Sequence, residues 1–261
     1  MTPETGDHFV TLDHTLHHRF MTFTRPMACP LAALTALAFV AGLFLAFNAP
    51  EDALHGRTVL ILFIHVPLAM FAVFIYMSMA LAAAATLAVH SVTAAVFQRA
   101  AASVGACFAF LCLVTGALWG RPAWGAYWVW QDARLVSMLI LFLMYCGSLA
   151  LWNALDDPDV AATAVSILNL IGGLNAVLVK YSVDIWNTQH QKSTLFAAPR
   201  PSIDGPLFTP LIAMMAAFLL LALTLTLVRM RATLLARHAR MLEIALAGEM
   251  EEAAAAAGHP G

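Results

Sequence analysis

Charge is what this chain has least of. Only 11% of its 261 residues are Asp, Glu, Lys or Arg, against 62% that are hydrophobic, which is far from the composition of a soluble domain. No Lys/Arg stripe of the kind that tracks a phosphate backbone occurs, so no nucleic acid is expected as a partner. The formal net charge of −2 adds nothing about partners in so apolar a chain. The phosphate-binding signature GxxxxGK[ST] is absent, so the chain does not itself hydrolyse ATP. A nucleophile elbow, an HExxH pair and paired carboxylates are absent too, and an enzyme is not expected. The four cysteines, Cys29, Cys107, Cys112 and Cys146, form neither a CxxC pair nor a CxxCH attachment motif. All lie in apolar segments and read as small buried hydrophobes. Strand-like alternation is missing as well.

What is present is length and hydrophobicity. A hydrocarbon core about 30 Å thick needs roughly 20 apolar residues of helix. Six stretches qualify: 30–47, 59–89, 101–118, 135–155, 160–179 and 208–228. With no competing strands, the expected fold is all-α, a polytopic bundle of six transmembrane helices. Residues 1–26 read as a polar leader, 27–230 as one membrane domain, and 231–261 as a charged, Ala-rich tail. The first apolar stretch comes after Arg19 and Arg25 but lacks a small-x-small cleavage site, so it reads as a retained helix.

An even number of spans puts both termini on one face. Arg19, Arg25, Arg99, Arg229, Arg231, Arg237 and Arg240 lie on that face; Arg57, Arg121, Arg134, Lys180, Lys192 and Arg200 lie on the other. The totals scarcely differ, but the tight cluster after the last helix favours cytoplasmic termini. The connections 48–57, 119–134 and 181–207 then share the opposite side, while 90–99 and the acidic turn 156–159 lie with the termini.

The middle one of those three connections is the most informative part of the chain. Trp119, Trp124, Trp128 and Trp130 fall within twelve residues, more than interfacial anchoring uses at a helix end. Gly120, Pro122 and Gly125 are expected to break the helix and display the indoles from a looped backbone. Asp132 stands where it caps the fourth helix or orients an indole N–H. His65 sits about seven residues into the second helix, roughly 10 Å along its axis, and Pro67 is expected to kink the helix around it. His190 lies in the connection before the last helix, on the same side. Each histidine alone reads as a hydrogen-bonded or solvated residue; together on the tryptophan side they suggest axial ligands of haem iron. Indoles suit the macrocycle faces, and Arg57, Arg121, Lys180 or Lys192 suit its propionates.

The run Trp119-Gly120-x-Pro122-x-Trp124-Gly125-x-x-Trp128-x-Trp130, followed by Asp132-Ala133-Arg134-Leu135, resembles the tryptophan-rich "WWD" motif of haem-handling proteins. The stretches LVTG (113–116), SMLILFLMY (137–145), IHVPLAM around His65, NALDD (153–157), YSVDIWNTQHQ around His190 and LVRMR (227–231) match as well. Over residues 20 to 240 the chain resembles the cytochrome c maturation protein C family, the haem exporter C subunits. That resemblance implies six helices in the bacterial inner membrane and a WWD domain facing the periplasm. It implies haem b as transient cargo, ligated by His65 and His190 against Trp119, Trp124, Trp128 and Trp130, with Asp132 and Arg121 beside it. It implies an ABC-type ATPase and permease, a small single-span subunit, membrane lipids and a membrane-anchored periplasmic haem chaperone as partners. Departures from the family pattern are Gln131 between Trp130 and Asp132, Ile185 for a usual Trp, Gln189 for a usual Leu, and Ala176 where Pro is often found. In a helix, the extra Gln131 would rotate Asp132 and its successors by about 100°. A b-type cytochrome carrying electrons and a scaffolding transporter subunit are the alternative readings.

Overall fold

A computed structural model of the protein describes residues 18–54, 56–186, 188–190, 203 and 205–257. The described residues hold six helices long and apolar enough to cross a membrane. They are α1 (Ala28–Phe47), α2 (Leu62–Val89), α3 (Val92–Trp124), α4 (Ala133–Ala154), α5 (Pro158–Ile185) and α6 (Gly205–Ala257). Short 3-10 turns, Arg25–Met27 and Arg57–Ile61, lead into α1 and α2. The all-α, six-span architecture expected from composition is the one observed.

The helix ends follow capping chemistry, and they shift several boundaries. The sequence predicts a connection over 90–99, yet α3 begins at Val92. His90 takes a left-handed conformation (φ 51°) as the stop of α2, and the Ser91 side chain accepts from the Ala94 amide at 3.3 Å as the start of α3. Two residues therefore reverse the chain, and the next turn buries Val96 and Gln98 against its neighbours. At the α4–α5 connection Asp157 accepts from the amides of Asp159 (2.8 Å) and Val160 (3.2 Å), and Pro158 occupies the first helical position, where it has no bond to lose. The 181–207 connection is likewise shorter, since α5 continues to Ile185 and α6 starts at Gly205.

Helices α2, α3, α4 and α5 form a ring in which each packs on the next, and α6 lies against α2 and α3 with α1 outside it. Lipid offers no hydrophobic reason for apolar helices to associate, so close packing and polar contacts must do it. Both are visible. A β-carbon on Gly105 would fall 2.2 Å from the Tyr145 ring, and one on Gly172 would fall 2.2 Å from the Tyr76 hydroxyl. The two tyrosines meet edge to face with centroids 4.7 Å apart, and the Tyr145 hydroxyl donates to the Ala72 carbonyl at 2.7 Å.

A fully buried polar lattice ties the same four helices. Asn169 Oδ1 accepts from Ser148 Oγ (2.7 Å) and from the Tyr76 hydroxyl (3.3 Å), while its Nδ2 donates to Gln98 Oε1 (2.9 Å). Gln98 Nε2 in turn donates to Thr86 Oγ1 at 2.8 Å and Ser166 Oγ at 3.1 Å. Interhelical hydrogen bonds in membranes average roughly 0.6 kcal/mol each, so the lattice contributes registry more than bulk stability.

Asn169→Leu removes all three of that residue's bonds and leaves the Gln98 side-chain carbonyl with only the long 3.4 Å contact from Ser166 Oγ. The expected cost is about 1–3 kcal/mol, read as a lower midpoint in detergent-induced unfolding. An unchanged midpoint contradicts the role given to the lattice.

Candidate functional site

Parity of six spans brings the start of α2, the end of α3, the start of α4 and the chain beyond α5 to one end of the bundle. There a cavity of about 350 Å³ opens between them. His65 and His190 both line it, with Trp119, Trp124 and Trp128, and with Arg134 and Lys180. Deeper, its wall is apolar: Val66, Ala69, Met70, Val73, Leu113 and Met138.

Two of the tryptophans reach the cavity from a helix, which corrects the expectation of a looped display. α3 runs unbroken through Gly120 and Pro122 to Trp124 and stops at Gly125, which takes φ +80°. Pro122 sits in the last turn, where it forfeits only the bond its amide would have made to Leu118. Gly120 is needed for another reason: a β-carbon there would lie 2.9 Å from the returning Ala126 carbonyl. Trp119 and Trp124 are therefore fixed to the rigid end of α3, five residues apart. Trp119 meets the His65 ring edge to face with centroids 6.0 Å apart, and Trp124 meets His190 at 4.8 Å.

Trp128 and Trp130 lie beyond the helix and pack edge to face at 5.4 Å. Trp128 faces the cavity, whereas Trp130 is 68% exposed and is absent from its lining. Arg121 is also turned away. Its guanidinium hydrogen-bonds the Gly125 carbonyl and lies over the Tyr127 ring at 5.8 Å. Arg57 is an exposed partner of Glu51 at 3.9 Å. Of the propionate candidates, Lys180 alone reaches the lining among the described residues; Lys192 lies outside those residues.

Asp132 is the joint of the site. Its Oδ1 accepts from the amides of Arg134 and Leu135, both at 3.0 Å, capping α4. Its Oδ2 accepts from the Gln189 amide at 2.8 Å and faces His190 Nδ1 at 3.3 Å. One carboxylate thus holds the segment after α5 to the start of α4. The expected 100° rotation from Gln131 does not arise, because residues 125–132 are not helical and Gln131 itself points outward. Burial acts to raise the Asp132 carboxyl, but the Leu135 and Gln189 amides and His190 outweigh it and hold the group below the usual carboxylate range. Burial lowers the His190 imidazole below its ordinary value, and the Asp132 charge beside it only partly offsets this. At neutral pH the pair is therefore carboxylate and neutral imidazole, with the proton on Nδ1 and a lone pair on Nε2.

Sequence reading missed several contributors. Thr115 Oγ1 lies 3.0 Å from His65 Nδ1, and Gly116 lets the ring sit against α3, since a β-carbon there would be 2.9 Å from Cε1. Both belong to the LVTG run, whose apolar context hides them. Arg134, next to the capping Asp132, donates through Nη2 to the Lys180 carbonyl at 3.3 Å. Its Nε and the indole N–H of Trp128 are buried with no hydrogen-bond partner among the described residues. Unpaired buried donors are costly, and two of them lining one cavity suit a ligand that carries acceptors.

Similarity to known proteins covers nearly the whole chain. The family described as heme exporter protein C matches residues 11–245. The heme exporter protein C of Bradyrhizobium diazoefficiens is 46% identical over 232 residues, covering 89% of this chain and 88% of the relative. Those of Escherichia coli K12 and Paracoccus denitrificans are 43% and 40% identical, covering 80% and 85% of this chain and 84% and 95% of the relatives.

Asp132→Asn separates the two jobs of this carboxylate. Asparagine caps helices about as well as aspartate, but an amide –NH2 cannot accept from Gln189 and His190. Global stability is expected to stay within roughly 1 kcal/mol while hydrogen exchange at the Gln189 amide speeds up at least several-fold. Unchanged exchange at that amide contradicts the joint.

Proposed function

This chain belongs to the heme exporter protein C family, and on that premise we propose that it holds one haem between His65 and His190 and hands it to a membrane-anchored periplasmic haem chaperone. It is a multi-pass inner-membrane subunit that handles haem during cytochrome c maturation. The observation that carries the reading is the meeting of two histidines and three tryptophans, from four separate segments, in a single cavity.

The residues present fit such a cargo. Neutral imidazoles are common axial ligands of haem iron. Trp119, Trp124 and Trp128 supply indole surface for a flat macrocycle, at about 0.5–1.5 kcal/mol per aromatic contact beyond area. Arg134 Nε and Trp128 Nε1, buried donors without partners among the described residues, suit the propionate carboxylates, with Lys180 on the same wall. The apolar floor around Met70, Val73 and Met138 suits the hydrocarbon edge.

The volume supports a carrier. Pockets that enclose drug-sized ligands measure roughly 300–1,000 Å³. About 350 Å³ is at the small end of that range, and a porphyrin is larger than most such ligands. Part of the macrocycle stays outside, where a chaperone reaches it. Haem b arrives as cargo, and no bond chemistry is assigned to this chain. The termini face the cytoplasm and the cavity the periplasm, in a complex with an ABC-type ATPase, its permease and a small single-span subunit. A permanent b-type cytochrome is less suited, because His190 lies beyond the end of α5 and not on a helix that faces α2.

The test uses protein purified in mild detergent from haem-replete cells. His65→Ala and His190→Ala are each expected to lower co-purifying haem at least several-fold. Trp124→Leu with Trp128→Leu is expected to reduce haem delivery to the chaperone while the membrane complex still assembles. Wild-type haem in both histidine variants overturns the ligand assignment, and normal delivery by the tryptophan variant overturns the platform.

A further inference from the structure

The two histidines of the cavity are held in the same way but by unlike partners. Thr115 has a single hydroxyl proton, and its Oγ1 lies 2.8 Å from the Leu111 carbonyl and 3.2 Å from the Cys112 carbonyl. Carbonyls only accept, so the proton points back into α3, in the usual i−4 pattern for a helical threonine. With the proton there, the oxygen has lone pairs to offer His65 Nδ1 at 3.0 Å, the arrangement in which the ring donates. The nearby Cys112 thiol, 4.0 Å from Nδ1, is a weak partner that does not alter this. Gly116 leaves no β-carbon to push the ring out of reach, since one would stand 2.9 Å from Cε1.

Thr115 and Gly116 thus form a seat that keeps the proton of His65 on Nδ1 and leaves Nε2 bare. His190 is set in the same tautomer by Asp132, at 3.3 Å from Nδ1. The difference lies in charge. A carboxylate behind an imidazole raises its donor strength toward a metal, and an uncharged hydroxyl does so far less.

We propose that Thr115 is the positioning residue of His65, fixing it as the Nδ1–H tautomer, and that its neutrality makes His65 the weaker iron ligand and the one released first when haem leaves. This rests on the haem-ligand reading above. It gives the hand-over an order: His190, backed by Asp132, keeps the iron while the His65 side opens.

The experiment uses the full-length chain in detergent, loaded with iron protoporphyrin IX, in wild type and in the variants Thr115→Val, Thr115→Ser, His65→Ala and His190→Ala. Valine matches threonine in shape and lacks the acceptor; serine keeps it. Thr115→Val is expected to show a several-fold larger share of five-coordinate, high-spin haem by absorption and electron paramagnetic resonance, and Thr115→Ser to restore the low-spin spectrum. A merely structural role for Thr115 would not be rescued in the spectrum by the smaller serine. With carbon monoxide on the ferrous protein, the C–O stretching frequency of wild type is expected to match that of His65→Ala, since both retain His190 opposite the gas. A Thr115→Val spectrum equal to wild type, a Thr115→Ser spectrum equal to Thr115→Val, or a wild-type C–O frequency matching His190→Ala overturns the proposal. A low-spin wild-type spectrum in His65→Ala overturns it together with the ligand reading beneath it, and so tells the two failures apart.

Discussion

The cavity depends on one carboxylate shared between three jobs. Asp132 is 2% exposed, yet it satisfies four donors: two amides at the start of α4, the Gln189 amide, and the His190 ring. A buried anion is costly unless its lone pairs are occupied, and here three backbone amides and the His190 ring occupy them. The helix start needs an acceptor, the segment after α5 needs an anchor, and the histidine needs a tautomer. A single side chain meets all three needs. The site is therefore as rigid as the α4 terminus it is built on.

The other wall gains its order from packing. α2 is held in register by the Gln98–Asn169 lattice and by the Tyr76 and Tyr145 contacts lower in the bundle, so His65 is presented at a fixed height beside Thr115. Trp119 and Trp124 ride on the last turns of α3, and only Trp128 comes from irregular chain. Rigid elements position ligand-binding side chains more sharply than loops do. The mouth of the cavity, in contrast, is bordered by residues 125–132, which are not helical.

The class of fold was fully legible in composition, because 20 consecutive apolar residues have few other uses. The cap at Asp132 and the gathering of His65 and His190 at one end followed from parity and helix chemistry. Four local features were not legible. Gly120 and Pro122 read as breakers by propensity, but near a helix end a proline loses little and a glycine serves a close backbone approach. Residues 90–99 read as a loop because they are less apolar, whereas Ser91 capping and burial of Gln98 make them helix. Thr115, Gly116 and Arg134 act only through partners 50, 51 and 46 residues away in sequence, a kind of contact that periodicity cannot show. Trp130 and Arg121 share a motif with the cavity residues, yet Trp130 lies in the turn beyond α3 and Arg121 on an exposed face of α3, both away from the cavity.

The central claim is that His65 and His190 bind one iron together. Pulsed electron paramagnetic resonance on ferric, haem-loaded protein carrying ¹⁵N-histidine tests it most directly, because each coordinated imidazole adds its own hyperfine coupling. The account predicts two histidine nitrogens coupled to a single low-spin iron, with one coupling lost in His65→Ala and the other lost in His190→Ala. One coupled histidine in the wild-type protein, or none, would contradict it.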